Sequence, residues 1–175
     1  MNNSHGIVHT FDDKPILLSQ LLGDRETKRS KLLKEKLVYT PPYAQGVRGQ
    51  IKSKSAFYVL QLPSCTKAIK IGRALAKISD GIITRLGEYK TTYGNAKILY
   101  LRTFTYNNAG KDGQPASKYE KQVLGKIQDN GHSPIRGLEY FPREMIDEIK
   151  LALNNTEPNA QDNENIPVRR SGRNS

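Results

Sequence analysis

Four side chains able to act together on a phosphodiester lie in order within residues 57–141: Tyr58, Lys70, Arg85 and Glu120. Hydrolysis of that bond needs an activated water, charge relief on the phosphoryl oxygens and a stabilised leaving oxygen. One carboxylate is enough to hold Mg²⁺, or another divalent cation, when waters and the substrate phosphate fill the remaining positions. Glu120 is the carboxylate placed for that task. Arg85 is suited to grip the phosphate and offset its growing negative charge. Lys70 can act as a general base if burial or neighbouring cations lower its pKa. Tyr58 can orient the water or relay a proton. Arg73, Lys77 and Lys90 are close enough in sequence to line the same face as phosphate contacts, and Arg48, Lys52 and Lys54 add a basic stretch upstream. Each residue also has a plainer role. Tyr58 could pack in a half-buried strand, and Lys70 could sit exposed at an edge. Arg85 could pair with Glu88 or Asp80. Glu120 is the fourth residue of Ser117-Lys118-Tyr119-Glu120, a capping-box pattern. Glu88, Glu139 and Asp112 read as solvated or paired carboxylates.

The elements that must position these groups follow from local pattern. FYVLQL and AIKIGR are rich in strand formers and are joined by PSCTK, which reads as a hairpin. Ser79 or Asp80 can cap a helix running to about Tyr89, with Ile82, Ile83 and Leu86 at helical spacing and Arg85 beside that stripe. Lys97–Thr105 alternates as a strand, and 107–116 is turn-rich. A helix is expected over Ser117–Gln128, with Tyr119, Val123 and Ile127 on one face. A short strand is expected within 135–141. Pro142 is placed to open a last helix that turns Met145, Ile146, Ile149 and Leu153 inward. Upstream, residues 1–14 read as a loose terminus and 15–37 as one or two helices broken near Gly23. Leu18, Leu21, Leu22, Leu32, Leu33 and Leu37 fall roughly on one face. The basic residues between them fit a solvated face or a DNA-backbone patch. The expected organisation is a helical arm and basic linker over 1–55, an α/β (α+β) domain over 56–153 and a disordered tail over 154–175. The domain is a small mixed or antiparallel sheet flanked by helices.

Size and charge bound the function. The 175 residues allow one domain with modest extensions. A net charge of +11 and a pI near 9.7 favour an anionic partner, nucleic acid among them. One cysteine, Cys65, excludes an intramolecular disulfide and a multi-thiolate zinc site, and the three histidines are scattered. The opening MNNSHGIVHTFDDK lacks a signal-peptide core, and no run approaches the roughly 18 apolar residues of a membrane span. A soluble intracellular protein, in cytoplasm or nucleus, is the expectation.

The ordered set resembles the GIY-YIG nuclease superfamily. Ala56, Phe57 and Tyr58 stand where its first motif reads Gly-Ile-Tyr, and Lys70, Ile71 and Gly72 where its second reads Tyr-Ile-Gly. Gly137, Leu138, Glu139, Tyr140 and Phe141 resemble the Gly-x-Glu-Trp-Phe ending of a phage and large-DNA-virus branch. Only the tyrosine of the first motif is present. Lys70 replaces the second tyrosine, as in some restriction enzymes of the superfamily, and Tyr140 replaces the tryptophan. The resemblance covers roughly residues 56–141. It implies a metal-dependent DNA endonuclease of viral or mobile-element type, with Tyr58, Lys70, Arg85 and Glu120 catalytic and Glu120 on the metal. A binding module that keeps the fold without cleavage is the alternative, and a basic interaction protein is a third.

Overall fold

The computed structural model describes residues 6–23, 26–37, 54–75, 81–105, 110–132 and 139–156. Their elements in chain order are β1 (Ile7–His9), β2 (Ile16–Leu17), α1 (Leu18–Leu22), α2 (Lys28–Leu37), β3 (Lys54–Gln61), β4 (Ala68–Leu75), α3 (Gly81–Tyr93), β5 (Lys97–Thr105), α4 (Pro115–Asp129), β6 (Tyr140–Pro142) and α5 (Ile146–Asn154). Single 3-10 turns at Lys111–Gly113 and Arg143–Met145 lead into α4 and α5. The six strands form one antiparallel sheet in the order β1-β5-β3-β4-β6, with β2 also paired to β5. Among the described residues, no helix is long and apolar enough to cross a membrane.

β3 is central, and Ser55–Leu60 is buried without a break. Such a run occurs where helices cover both faces of a sheet. Alternation then divides it. Tyr58 and Leu60 pack with Leu18, Leu21, Leu33, Leu37, Ile82 and Leu86 from α1, α2 and α3. Phe57 and Val59 pack on the other face with Tyr119, Val123, Ile127 and Ile149 from α4 and α5. The FYVLQL–AIKIGR hairpin is present, with Tyr58 opposite Gly72 and Leu60 opposite Lys70.

Several expectations are corrected. Residues 7–37 are not an arm beside the domain: β1 and β2 pair with β5, and α1 and α2 supply core leucines. The loose terminus therefore contains a strand, and Leu32 is exposed while Leu33 and Leu37 are buried. The helix carrying Glu120 begins at Pro115, not Ser117, with Gln114 as its N-cap. Pro favours the first helical position, and the preceding 3-10 turn delivers the chain there. The Ser117–Glu120 pattern is therefore not a capping box: Ser117 Oγ donates to the Lys111 carbonyl at 2.8 Å. Finally, Pro142 ends β6, and α5 opens at Ile146. The linker residues Arg48 and Lys52, together with Lys77, Ser79, Asp80 and the 157–175 tail, lie outside the described residues.

Candidate active site

Strand alternation sends neighbouring residues of β4 to opposite sides of the sheet. Lys70 and Gly72 face α3, and Arg73 faces α4. Tyr58, opposite Gly72 in register, lies across the space that a side chain there would fill: a Cβ on Gly72 would stand 2.7 Å from Tyr58 Oη. Tyr58 is buried and its ring meets Tyr89 edge-on, centroids 5.7 Å apart. Burial, and then the neighbouring Tyr89, raise its phenol well above the ordinary 10.0, while Arg85 pulls it down and Glu120 raises it further. The hydroxyl therefore keeps its proton at neutral pH and acts as a donor. With 1% of its surface exposed, Tyr58 can reach a substrate only through its neighbours.

Lys70 is 3% exposed. Its Nζ pairs with Glu139 Oε1 and lies 4.8 Å from the Tyr140 ring centroid and 5.7 Å from that of Tyr89. An ammonium over aromatic faces is held by the ring quadrupoles. Tyr140 is opposite Lys70 in the β4–β6 ladder, and its hydroxyl hydrogen-bonds Tyr93 at 2.6 Å. Burial, and then that bond, raise the Tyr140 phenol. The expected exposed edge lysine is thus an enclosed cation, because β6 covers what would have been a free edge.

Glu120 lies on the buried stripe of α4, five residues inside the helix. Its Oε1 accepts a hydrogen bond from Arg73 Nη1 at 2.5 Å, and its buried Oε2 has no partner among the described residues. Burial raises this carboxyl above the ordinary 4.5, Arg73 opposes the rise, Glu139 adds to it and Lys70 opposes it. Arg73, expected to contact phosphate, is instead the partner of the candidate metal carboxylate. Glu120, Arg73 and Glu139 line one cleft of about 440 Å³, whose apolar wall includes Leu124 and Phe141. Of the three carboxylates that line the cleft, Asp112, Glu120 and Glu139, Glu120 has an unsatisfied buried oxygen, which fits a divalent cation held there with water and phosphate completing its shell. No group of three or more His, Cys, Asp or Glu side chains gathers among the described residues, so the fit is to a single-carboxylate site.

Arg85 stands on the exposed surface of α3, one turn before Tyr89, with Nη1 3.1 Å from Glu88 Oε1. Lys90 is exposed on the same helix. Lys54, expected to meet phosphate, donates to the Lys36 carbonyl near the end of α2 at 2.5 Å. Tyr58 and Lys70 lie on the side of the sheet covered by α3, which carries Arg85, whereas Glu120 lies on α4 with Arg73 on the other side; among the described residues no hydrogen bond or ion pair joins Glu120 to Tyr58, Lys70 or Arg85. Sequence reasoning missed Tyr89 and Tyr140 as the rings beside Lys70 and Tyr93 as the hydrogen-bond partner of Tyr140; Glu139, read as a solvated or paired carboxylate, is paired with Lys70. The i, i+4 spacing of Arg85, Tyr89 and Tyr93 was the available signal for Tyr89 and Tyr93.

No family model, curated protein or solved structure matches this chain.

Proposed function

We propose that this chain is a metal-dependent DNA endonuclease of the GIY-YIG kind. Glu120 carries the reading. Its buried, unpartnered oxygen costs about 1–3 kcal/mol, and a fold keeps such a cost where the group has a use. Glu120 also shares its cleft with Glu139, the partner of Lys70. The net charge of +11 suits a polyanionic substrate.

Glu120 would hold the cation, Mg²⁺ or another divalent ion, which when bound supplies Lewis-acid charge and a water of lowered pKa. The chain's own groups do the rest. Arg85 is solvent-exposed, and its surface pair with Glu88 is weak enough to exchange for a phosphate, which a guanidinium binds bidentately. Lys70, held by Glu139 and two tyrosine rings, would supply positive charge behind Glu139 at the site. Tyr58 keeps its proton and fixes Tyr89, so it is a positioning residue. Arg73 holds Glu120 in one rotamer.

A second reading is favoured by one observation: the charges at the centre are already paired internally, Lys70 with Glu139 and Arg73 with Glu120. A module that binds DNA without cutting would have that arrangement. Nicking of supercoiled plasmid in MgCl₂ or EDTA decides between them. The nuclease reading expects magnesium-dependent nicking that Glu120→Gln lowers by about 100-fold or more, with DNA binding retained. Salt-sensitive binding with no nicking in any divalent cation supports the binding module. No salt-sensitive binding at all rejects both, and leaves a basic interaction protein.

A further inference from the structure

We infer that the cleft between α4 and the β4–β6 edge receives one unpaired nucleotide of the strand being cut, so that the substrate is DNA with an unstacked base beside the scissile phosphate. The inference rests on the nuclease reading and narrows its substrate class.

Three observations carry it. The first is place: the cleft is bounded by Arg73, Glu120 and Glu139, so whatever enters it lies against the proposed cation carboxylate. The second is shape and lining. A continuous duplex presents stacked bases behind a regular backbone, and what it asks of a protein is a basic surface that follows the phosphates. A recess of about 440 Å³ walled by Leu124 and Phe141 gives that backbone nothing. It lies within the roughly 300–1,000 Å³ that enclose small organic ligands, where apolar walls and a few polar groups are the norm. An extruded base needs such walls for its faces and polar groups for its edge. Gln128 lines the cleft and can serve that edge, and Lys118 and Lys121 lie beside it for the flanking phosphates. Arg73 and Lys70 neutralise Glu120 and Glu139, and Asp112, the third carboxylate of the lining, stands with Lys118 and Lys121 in the same wall.

The third observation is Gly125. It sits inside α4, where glycine is the poorest helix former except proline. Nothing lies within 4 Å of a Cβ built on it, and it lines the cleft. Packing therefore does not require glycine there. What its missing side chain preserves is the open volume of the recess.

Binding and cutting of matched duplexes test the inference. One duplex is continuous. The other carries a single unpaired 2-aminopurine in the cut strand. Binding is measured in Ca²⁺ and cutting in Mg²⁺. The protein is expected to bind and cut the bulged duplex at least about tenfold better than the continuous one, with a change in 2-aminopurine fluorescence on binding. Gly125→Leu and Gly125→Met fill the recess with good helix formers. Both are expected to melt no lower than the parent and to bind continuous duplex with an unchanged salt slope. Both should lose the preference and the fluorescence change. Equal binding and cutting of the two duplexes by the parent, or a preference that survives both Gly125 variants, overturns the inference and leaves the nuclease reading standing. Failure to bind either duplex rejects both.

Discussion

At the scale of residues, Glu120 is held between two requirements. A cation needs its carboxylate ionised, and burial favours the neutral form. Arg73 resolves most of the conflict by donating to Oε1, yet the carboxyl stays above the ordinary 4.5. The sign of the linkage follows. A carboxyl whose folded pKa is raised contributes stability that is fully present below its unfolded value and is lost as pH rises through the folded value. Cleavage follows the opposite direction, because only the ionised form holds the cation. Two outcomes are expected between pH 4 and 8. Cleavage in Mg²⁺ falls on the acid side as the Glu120 carboxyl takes up its proton, and Glu120→Gln has no such limb. In thermal melts without metal, the parent gains stability relative to Glu120→Gln as pH falls. A stability difference that grows as pH rises would mean that Arg73 outweighs burial, and that Glu120 is a structural ion pair. The separate elements that carry Tyr58, Lys70, Arg85 and Glu120 were legible in the sequence because each has its own local pattern. The partners of these side chains were not. Lys70 meets Glu139 and Arg73 meets Glu120 across long intervals of chain, and no local pattern encodes which cation finds which carboxylate.

At the scale of elements, Gly72 shows how two strands make one position. The β3–β4 register places it opposite Tyr58, and the bare backbone at 72 is where the Tyr58 ring lies. An added methyl would meet Oη at 2.7 Å and two ring carbons at 2.9 Å. The ring is rigid and enclosed, so it cannot step aside cheaply. Gly72→Ala is expected to cost about 1–3 kcal/mol, the usual range for overpacking a filled core, and to displace Tyr58 from Tyr89. Denaturant unfolding measures the first effect. Plasmid nicking under conditions where the variant is fully folded measures the second, and unchanged nicking would remove Tyr58 from the positioning role. The hairpin, α3 and β5 were readable because their periods and turn residues are local. The start of α4 was not, since Ser117-x-x-Glu120 imitates a cap while Pro115 and the 3-10 turn before it set the true boundary. The mimicry mattered: it offered Glu120 a role at a helix end, whereas the residue sits on the buried stripe facing Arg73.

At the scale of the molecule, the N-terminal segment changes meaning. Composition suggested a basic helical arm joined by a linker, a part whose removal would weaken DNA binding and spare the fold. β1 and β2 are three and two residues long, too short for a sequence pattern to announce, and their partner β5 lies far along the chain. His9 of β1 is nonetheless buried, with its Nδ1 3.1 Å from Arg29 Nη2 of α2, so the segment is tied to itself as well as to the sheet. Leu18, Leu21, Leu33 and Leu37 are buried in the core under α3. Each such leucine contributes about 1.5–3 kcal/mol by burial. Four of them together approach or exceed the roughly 5–15 kcal/mol that holds a domain folded. Removing β1 and β2 also leaves β5 as an open edge, which invites pairing with other chains. Deleting residues 1–50 is therefore expected to abolish the cooperative melting transition and the near-ultraviolet circular dichroism, with aggregation and loss of all DNA binding. A truncated chain that melts cooperatively and nicks DNA at the parent's rate would return the segment to the status of an arm. Short of that result, a change in DNA affinity after truncation says nothing about phosphate contacts by α2, because the sheet that carries Tyr58, Lys70 and Arg73 depends on the same segment for its core.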